Sequence, residues 1–158
     1  MNHTVGVSDA KTANQPGDVL TTHALGSCIA VALYDQTAGA AGMLHFQLPT
    51  STADARRAAE RPLMYCDTGM DYLLKQMACM GGDKRRMRVR LAGGAKMLND
   101  QSLFDIGRRN HAAIRKVLWQ QGMFIDREMI GGNDPMTMQL HVASGAVVVK
   151  CNNQLYSF

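Results

Sequence analysis

Leu25-Gly26-Ser27-Cys28-Ile29-Ala30-Val31-Ala32-Leu33-Tyr34 and, beyond the turn Asp35-Gln36-Thr37-Ala38-Gly39, Gly42-Met43-Leu44-His45-Phe46-Gln47-Leu48-Pro49 form the stretch that decides how this chain folds. Two apolar runs flank a short polar segment ending in glycine, which is the pattern of a β-hairpin. Both faces of 28–34 are apolar or small, so the spacing predicts a central strand covered on both sides. Cys28 follows a glycine-containing turn, and His45 lies in the returning strand. Nucleophilic thiol chemistry needs a thiol on a tight backbone, peptide N–H groups beside it and an imidazole within reach. One hairpin offers all three, with the donors drawn from the Gly26-Ser27-Cys28 turn.

Register decides whether the thiol and the imidazole meet. Residues facing each other in a hairpin have position numbers with a constant sum. A sum of 73 sets His45 opposite Cys28, with Cβ atoms about 5 Å apart. Sums of 71 or 75 place it diagonally on the same face, whereas an even sum sends it to the opposite face. The turn residues do not fix the register, so the spacing permits the dyad without requiring it. Packing explains the same two residues differently. Free cysteine is among the most buried residue types, and burial beside Ile29, Val31 and Leu33 raises a thiol pKa and silences it.

Outward from the hairpin, His3 to Val7 and Val19 to Thr22 read as short strands, and residues 8–18 read as a polar connection with a Pro16-Gly17 turn. Residues 50–61 read as a surface loop. Pro62 suits a helix first turn, and Leu63, Cys66, Met70, Leu73, Leu74 and Met77 follow helical spacing up to Gly81-Gly82. A second helix is predicted from about Gly107 to Gln121, with a core stripe of Ala113, Ile114, Val117 and Leu118. Arg86 to Leu91 alternates, with Arg86, Arg88 and Arg90 on one face and Met87, Val89 and Leu91 on the other. That pattern predicts a half-exposed strand with a basic face, either a docking surface for an acidic partner or a solvated edge that discourages sheet pairing. Phe124 to Ile130, Met136 to Val142 and Ala146 to Cys151 complete the strands. Strands outnumber helices and most neighbours are hairpin-linked, so the expectation is α/β: mixed, largely antiparallel sheet with two main helices packed outside.

The 158 residues suit one domain, and 46% hydrophobic with 19% charged residues is an ordinary globular composition. Twelve methionines fill core space that the few aromatics leave. No apolar run approaches a membrane span, and no basic segment followed by an apolar one opens the chain, so membrane insertion and export are not expected and the cytoplasm is. Cys28, Cys66, Cys79 and Cys151 are scattered without a C-x-x-C pair, which argues against structural zinc and for reduced thiols. No metal or cofactor is called for. Gly93-Gly94 and Gly131-Gly132 lack the Lys-Ser/Thr of a phosphate loop, and Ser27 does not sit in a nucleophile elbow. Cys66 falls on the apolar helix stripe. Cys79 and Cys151 have no nearby histidine. His23, His111 and His141 have weaker placements than His45.

With these residues in hand, the chain resembles the CheD family of chemoreceptor glutamine deamidases. The resemblance is carried by Thr22-His23-Ala24-Leu25-Gly26-Ser27-Cys28, His45-Phe46-Gln47-Leu48-Pro49, Ala92-Gly93-Gly94-Ala95-Lys96-Met97, Ile106-Gly107-Arg108-Arg109-Asn110 and Gly131-Gly132-Asn133, in family order over nearly the whole chain. It implies a layered α/β sandwich similar to the catalytic domain of cytotoxic necrotizing factor toxins, with Cys28 as nucleophile, His45 as base and Thr22 as the hydroxyl that orients the histidine. It also implies receptor glutamine as substrate and a CheC-type phosphatase as partner. The chain departs from the family after Gly131-Gly132-Asn133, where Asp134-Pro135-Met136-Thr137 replaces the usual Gly-Arg pair and further basic residue.

Three functional classes follow: a cysteine amidohydrolase acting on protein glutamine, a non-catalytic module that binds the phosphatase or receptor and uses Cys28 only for packing, and a nucleic-acid binder using the basic strand. Few aromatics and a net charge of +4 disfavour the last, so no nucleic-acid partner is expected.

Overall fold

The computed structural model describes residues 1–97 and 105–158. Ten strands form two five-stranded sheets. In the first sheet, β1 (Asn2–Thr4) runs parallel to β3 (Val19–Leu25), and β3 pairs antiparallel with β8 (Met136–His141). The antiparallel strands β9 (Val147–Cys151) and β10 (Gln154–Ser157) follow. The second sheet has the order β2 (Asp9–Ala13), β5 (Ala40–Phe46), β4 (Ile29–Asp35), β6 (Arg88–Gly93), β7 (Arg127–Ile130), with only β6 and β7 parallel.

The hairpin sits at the centre of the molecule, and every residue of β4 and β5 is buried. One face of this pair, with Ala30, Ala32 and Met43, meets Leu20, Leu25, Met138, Leu140 and Val149 of the first sheet. The other face, with Ile29, Val31, Leu33, Leu44 and Phe46, meets the helices α2 (Cys66–Cys79) and α3 (Ile106–Gln120) through Met70, Leu73, Ile114 and Leu118. The layers are therefore sheet, sheet and helices, the α/β sandwich with two outer helices expected from the sequence. A strand buried on both faces has no polar face to alternate with, which is why 28–34 reads as continuous apolar sequence. In contrast, β8 alternates because only Met136, Met138 and Leu140 point inward.

The observed structure corrects several boundaries. Residues 8–18 contain the edge strand β2, and 50–61 contain a short helix, α1 (Ala55–Glu60), capped by Asp54 through the N–H of Arg57 at 3.0 Å. Strand β10 has no sequence signal because all four of its residues are exposed. Asp105 caps α3 by accepting from the N–H of Arg108 at 3.2 Å, and Gly122, at φ +69°, closes the helix in the left-handed region.

The basic face expected at Arg86, Arg88 and Arg90 does not form as a set of three, because Arg90 is buried while Arg86 and Arg88 stay exposed. Arg86 lies in the turn before β6 and donates to the buried carboxylate of Asp35, with Nη2 to Oδ2 at 2.9 Å. Arg88 is exposed, but Arg90 is fully buried between the sheets and donates from Nη2 to the Gly145 carbonyl. Burial pushes its pKa down to about 10. Strand β6 is also flanked on both sides, by β4 and β7, so the solvated-edge explanation fails.

Candidate active site

Strand pairing fixes the relation of Cys28 to His45. Ala30 faces His45 and Ile29 faces Phe46, so the position sum is 75. Cys28, one residue beyond the last pair, is a diagonal neighbour of His45 on the same face. That face is the interior one between the sheets, where half-buried Cys28 packs against the Ala30, Ala32 and Met43 cluster.

His45 is fully buried. Its Nδ1 lies 2.8 Å from Oγ1 of Thr22, in β3 of the facing sheet. Thr22 Oγ1 donates its own proton to the carbonyl of Val5 at 2.6 Å. A hydroxyl has a single proton, so Thr22 accepts from His45, and Nδ1 carries the imidazole proton. Nε2 is left as the basic nitrogen, buried and without a partner among the described residues. Burial pushes the His45 pKa down to about 4 against the opposing pull of Asp9, its neighbour in β2. Burial also raises the Cys28 thiol, partly offset by its own peptide N–H. Near neutral pH the resting pair is therefore thiol and neutral imidazole.

The turn before Cys28 is held by its carbonyl groups. Gly26 O accepts from Ala95 N at 2.8 Å, and Cys28 O accepts from Gly94 N at 2.8 Å. Asn110 Nδ2 reaches Ser27 O at 3.0 Å and Gln47 O at 2.9 Å. Gly93 has φ +112°, and a Cβ there would collide with the Cys28 carbonyl, so the close approach of β6 to the turn requires glycine. Of the peptide N–H groups expected to serve as donors, that of Gly26 is used, bonding Ala24 O at 3.0 Å. Those of Ser27 and Cys28 take no backbone partner elsewhere among the described residues.

Two clefts flank this region. One, of about 250 Å³, is lined by Leu48, Pro49, Tyr65, Ile106, Arg57 and Arg109. The other, of about 220 Å³, is lined by Gly94, Lys96, Arg108, His111, Ile130 and Gly131. A further cavity, about 540 Å³, lies at the C-terminal end of α2 and shares only Arg86 with the expected site residues.

The remaining thiols and imidazoles are placed elsewhere. Cys66 is buried in α2 with its pKa raised by burial, Cys79 is exposed at the helix end, and Cys151 is half-buried at the end of β9. His111 pairs with Glu128 at 2.9 Å, and His23 is exposed. Among the described residues, no group of three or more His, Cys, Asp or Glu side chains is arranged to hold a metal ion, and no helix is long and apolar enough to cross a membrane. Asn110 was not among the expected site residues. Its sequence signals are its place at the end of Ile106-Gly107-Arg108-Arg109-Asn110, one of the stretches that carry the family resemblance, and a polar side chain on the buried side of a helix.

Fold and site together define a layered α/β sandwich with a cysteine in the turn that enters one central strand, a histidine on the adjacent strand and a threonine meeting the histidine from the facing sheet. The family model for CheD chemotactic sensory transduction matches residues 47–151. A probable chemoreceptor glutamine deamidase CheD of Solibacter usitatus (strain Ellin6076) is 43% identical over 150 residues, covering 95% of this chain and 89% of the relative. A probable chemoreceptor glutamine deamidase CheD 1 of Syntrophus aciditrophicus (strain SB) is 42% identical over 146 residues, covering 92% and 91%. A probable chemoreceptor glutamine deamidase CheD 2 of Anaeromyxobacter dehalogenans (strain 2CP-C) is 38% identical over 152 residues, covering 96% of each. The chain belongs to the CheD family. Thr22, Cys28 and His45 lie before the segment matched by the family model and within the length spanned by these relatives.

Proposed function

We propose that this protein is a chemoreceptor glutamine deamidase in which Cys28 is the nucleophile, His45 the base and Thr22 the group that orients it. The observation that carries this reading is the Thr22–His45 hydrogen bond, which leaves Nε2 as the free base on the interior face shared with Cys28. The names of the relatives support the same substrate class.

His45 Nε2 takes the Cys28 proton as sulfur attacks the carbonyl carbon of the glutamine side chain. Because both groups rest in their neutral forms, proton transfer accompanies attack and no stored ion pair precedes it. The new C–S bond pushes the carbonyl electrons onto oxygen, where the peptide N–H groups of Ser27 and Cys28 stabilise the charge. Collapse of this intermediate breaks the C–N bond, and the imidazolium gives its proton to the leaving nitrogen, releasing ammonia and leaving a thioester. Water then loses a proton to His45, attacks the thioester and releases glutamate, and the proton returns to sulfur. Thr22 stabilises the transient imidazolium less than a carboxylate would, since it carries no charge.

The substrate is a methyl-accepting receptor, the compartment is the cytoplasm, and a CheC-type phosphatase is the regulator that binds the enzyme. The test is incubation with a receptor cytoplasmic fragment, followed by ammonia measurement and peptide mass spectrometry. Site-specific glutamine-to-glutamate conversion that is lost in Cys28→Ala supports the reading. Conversion at the parent rate by Cys28→Ala overturns it.

A further inference from the structure

The peptide units around Cys28 show how its backbone donors are aimed. In a trans peptide, the C=O and the following N–H point in opposite directions, so fixing one fixes the other. The Gly26 carbonyl is held by Ala95 N–H at 2.8 Å, which turns the Ser27 N–H away from residue 95. The Ser27 carbonyl is held by Asn110 Nδ2 at 3.0 Å, which turns the Cys28 N–H away from α3. The second Nδ2 proton of Asn110 goes to Gln47 O at 2.9 Å, two residues beyond His45. One side chain thus clips the turn that carries the thiol to the strand that carries the imidazole. Asn110 is fully buried, and its Oδ1 has no partner among the described residues. A buried amide with an unpartnered oxygen is a poor choice for packing alone, because the unsatisfied acceptor is costly and an apolar side chain of similar size avoids that cost.

We infer that Asn110 is a positioning residue: it aims the Cys28 peptide N–H at the oxygen of the reacting carbonyl. The inference rests on the deamidase reading above. Without the Nδ2 donor, the Ser27–Cys28 peptide is free to rotate and its N–H no longer stays on the oxyanion. Its amide donates to Ser27 O and Gln47 O and to neither the sulfur nor the imidazole. The loss therefore falls on the chemical step and not on binding.

The experiment compares full-length parent with Asn110→Ala and Asn110→Asp, the latter keeping the size while removing the amide donor. Ammonia release from a receptor cytoplasmic fragment gives kcat and KM, and alkylation of Cys28 by iodoacetamide reports the thiol by a reaction that needs no oxyanion donor. The expected result is a kcat lower by about 10²-fold, KM within about two-fold of the parent, and an alkylation rate within about three-fold. A kcat within about three-fold of the parent in either folded variant overturns the inference, as does an alkylation rate that falls in parallel with kcat. If neither variant can be obtained folded, Asn110 is a folding determinant and the positioning role falls. A parent that releases no ammonia brings down the deamidase reading itself, whereas an active parent with equally active variants removes only the role of Asn110.

Discussion

Thr22 and His45 belong to different sheets, and the 2.8 Å hydrogen bond between them crosses the interior of the sandwich. The orientation of the base is therefore set by how the two sheets pack. Thr22 is itself anchored to Val5, in the segment that follows β1, so the imidazole tautomer depends on three separated stretches of chain. None of them borders the others in sequence.

Replacing Thr22 tests that dependence. Thr22→Ala removes the acceptor for Nδ1–H and the donor to Val5, both in a buried setting, and is expected to cost about 1–3 kcal/mol of stability. Deamidation falls by about one to two orders of magnitude because the base loses its fixed tautomer and direction. Thr22→Ser keeps the hydroxyl and retains most activity. Urea denaturation and ammonia release measure the two effects separately, and Thr22→Ala with unchanged kcat removes the orienting role.

The pH dependence follows from burial. His45 is a base only when neutral, and its pKa is pushed down to about 4, while Cys28 stays protonated past its ordinary 9.0. The kcat/KM profile is expected to be flat across neutral pH with its acid limb near about 4 and not near 6.5. The same shift makes stability pH-dependent. The unfolded imidazole binds a proton near 6.5 and the folded one only near about 4, so the contribution is fully present above 6.5 and is lost as pH falls across that window, by roughly 3 kcal/mol. Denaturation midpoints for the parent and His45→Gln, taken across that range, check it: the variant lacks this component of the slope.

Gly93→Ala places a methyl group against the Cys28 carbonyl at a backbone angle of φ +112° that side chains rarely adopt. Destabilisation of roughly 3 kcal/mol is expected, together with lower activity per folded molecule, because the nucleophile's own peptide must shift. A variant that melts with the parent and turns over normally rules out this tight contact.

Arg86→Ala separates ion pairing from docking. Burial alone raises the Asp35 carboxyl, and Arg86 with the N–H groups of Asp83 and Ala38 holds it below the usual range. Losing Arg86 lowers Tm at neutral pH and makes stability less sensitive to acid, since a carboxyl that is less depressed in the folded state gives up less stability as pH falls. KM for the receptor fragment stays within about two-fold of the parent. A large, salt-sensitive rise in KM with unchanged Tm restores a docking role.

Local pattern carried the reading of the hairpin. Its two strands are apolar, separated by a turn, and within a residue or two of the observed bounds, because double-sided burial leaves a strong compositional mark. The two main helices were legible from the spacing of residues such as Met70, Leu73, Ile114 and Leu118. The edge strand β2, with the sequence Asp9-Ala10-Lys11-Thr12-Ala13, and the exposed β10 were not, since edge strands bury little and pair through backbone groups that composition does not record. The alternation of Arg86, Arg88 and Arg90 misled for a related reason. Strand period assigns residues to faces, but only the opposing sheet decides which face is wet, and the Gly145 carbonyl lies opposite Arg90.

The sequence by itself determined a thiol after a tight turn, a histidine in the returning strand and helices to cover one side, because period-two and helical spacing are properties of neighbouring residues. It left open which of several registers the hairpin adopts. Tertiary structure decided the sum-75 pairing, the hydrogen bond from His45 to Thr22, the clip made by Asn110 and the burial of Arg90. Each of these joins groups far apart in the chain, and their meeting depends on how sheets and helices stack, for which the linear order of residues carries no local signal.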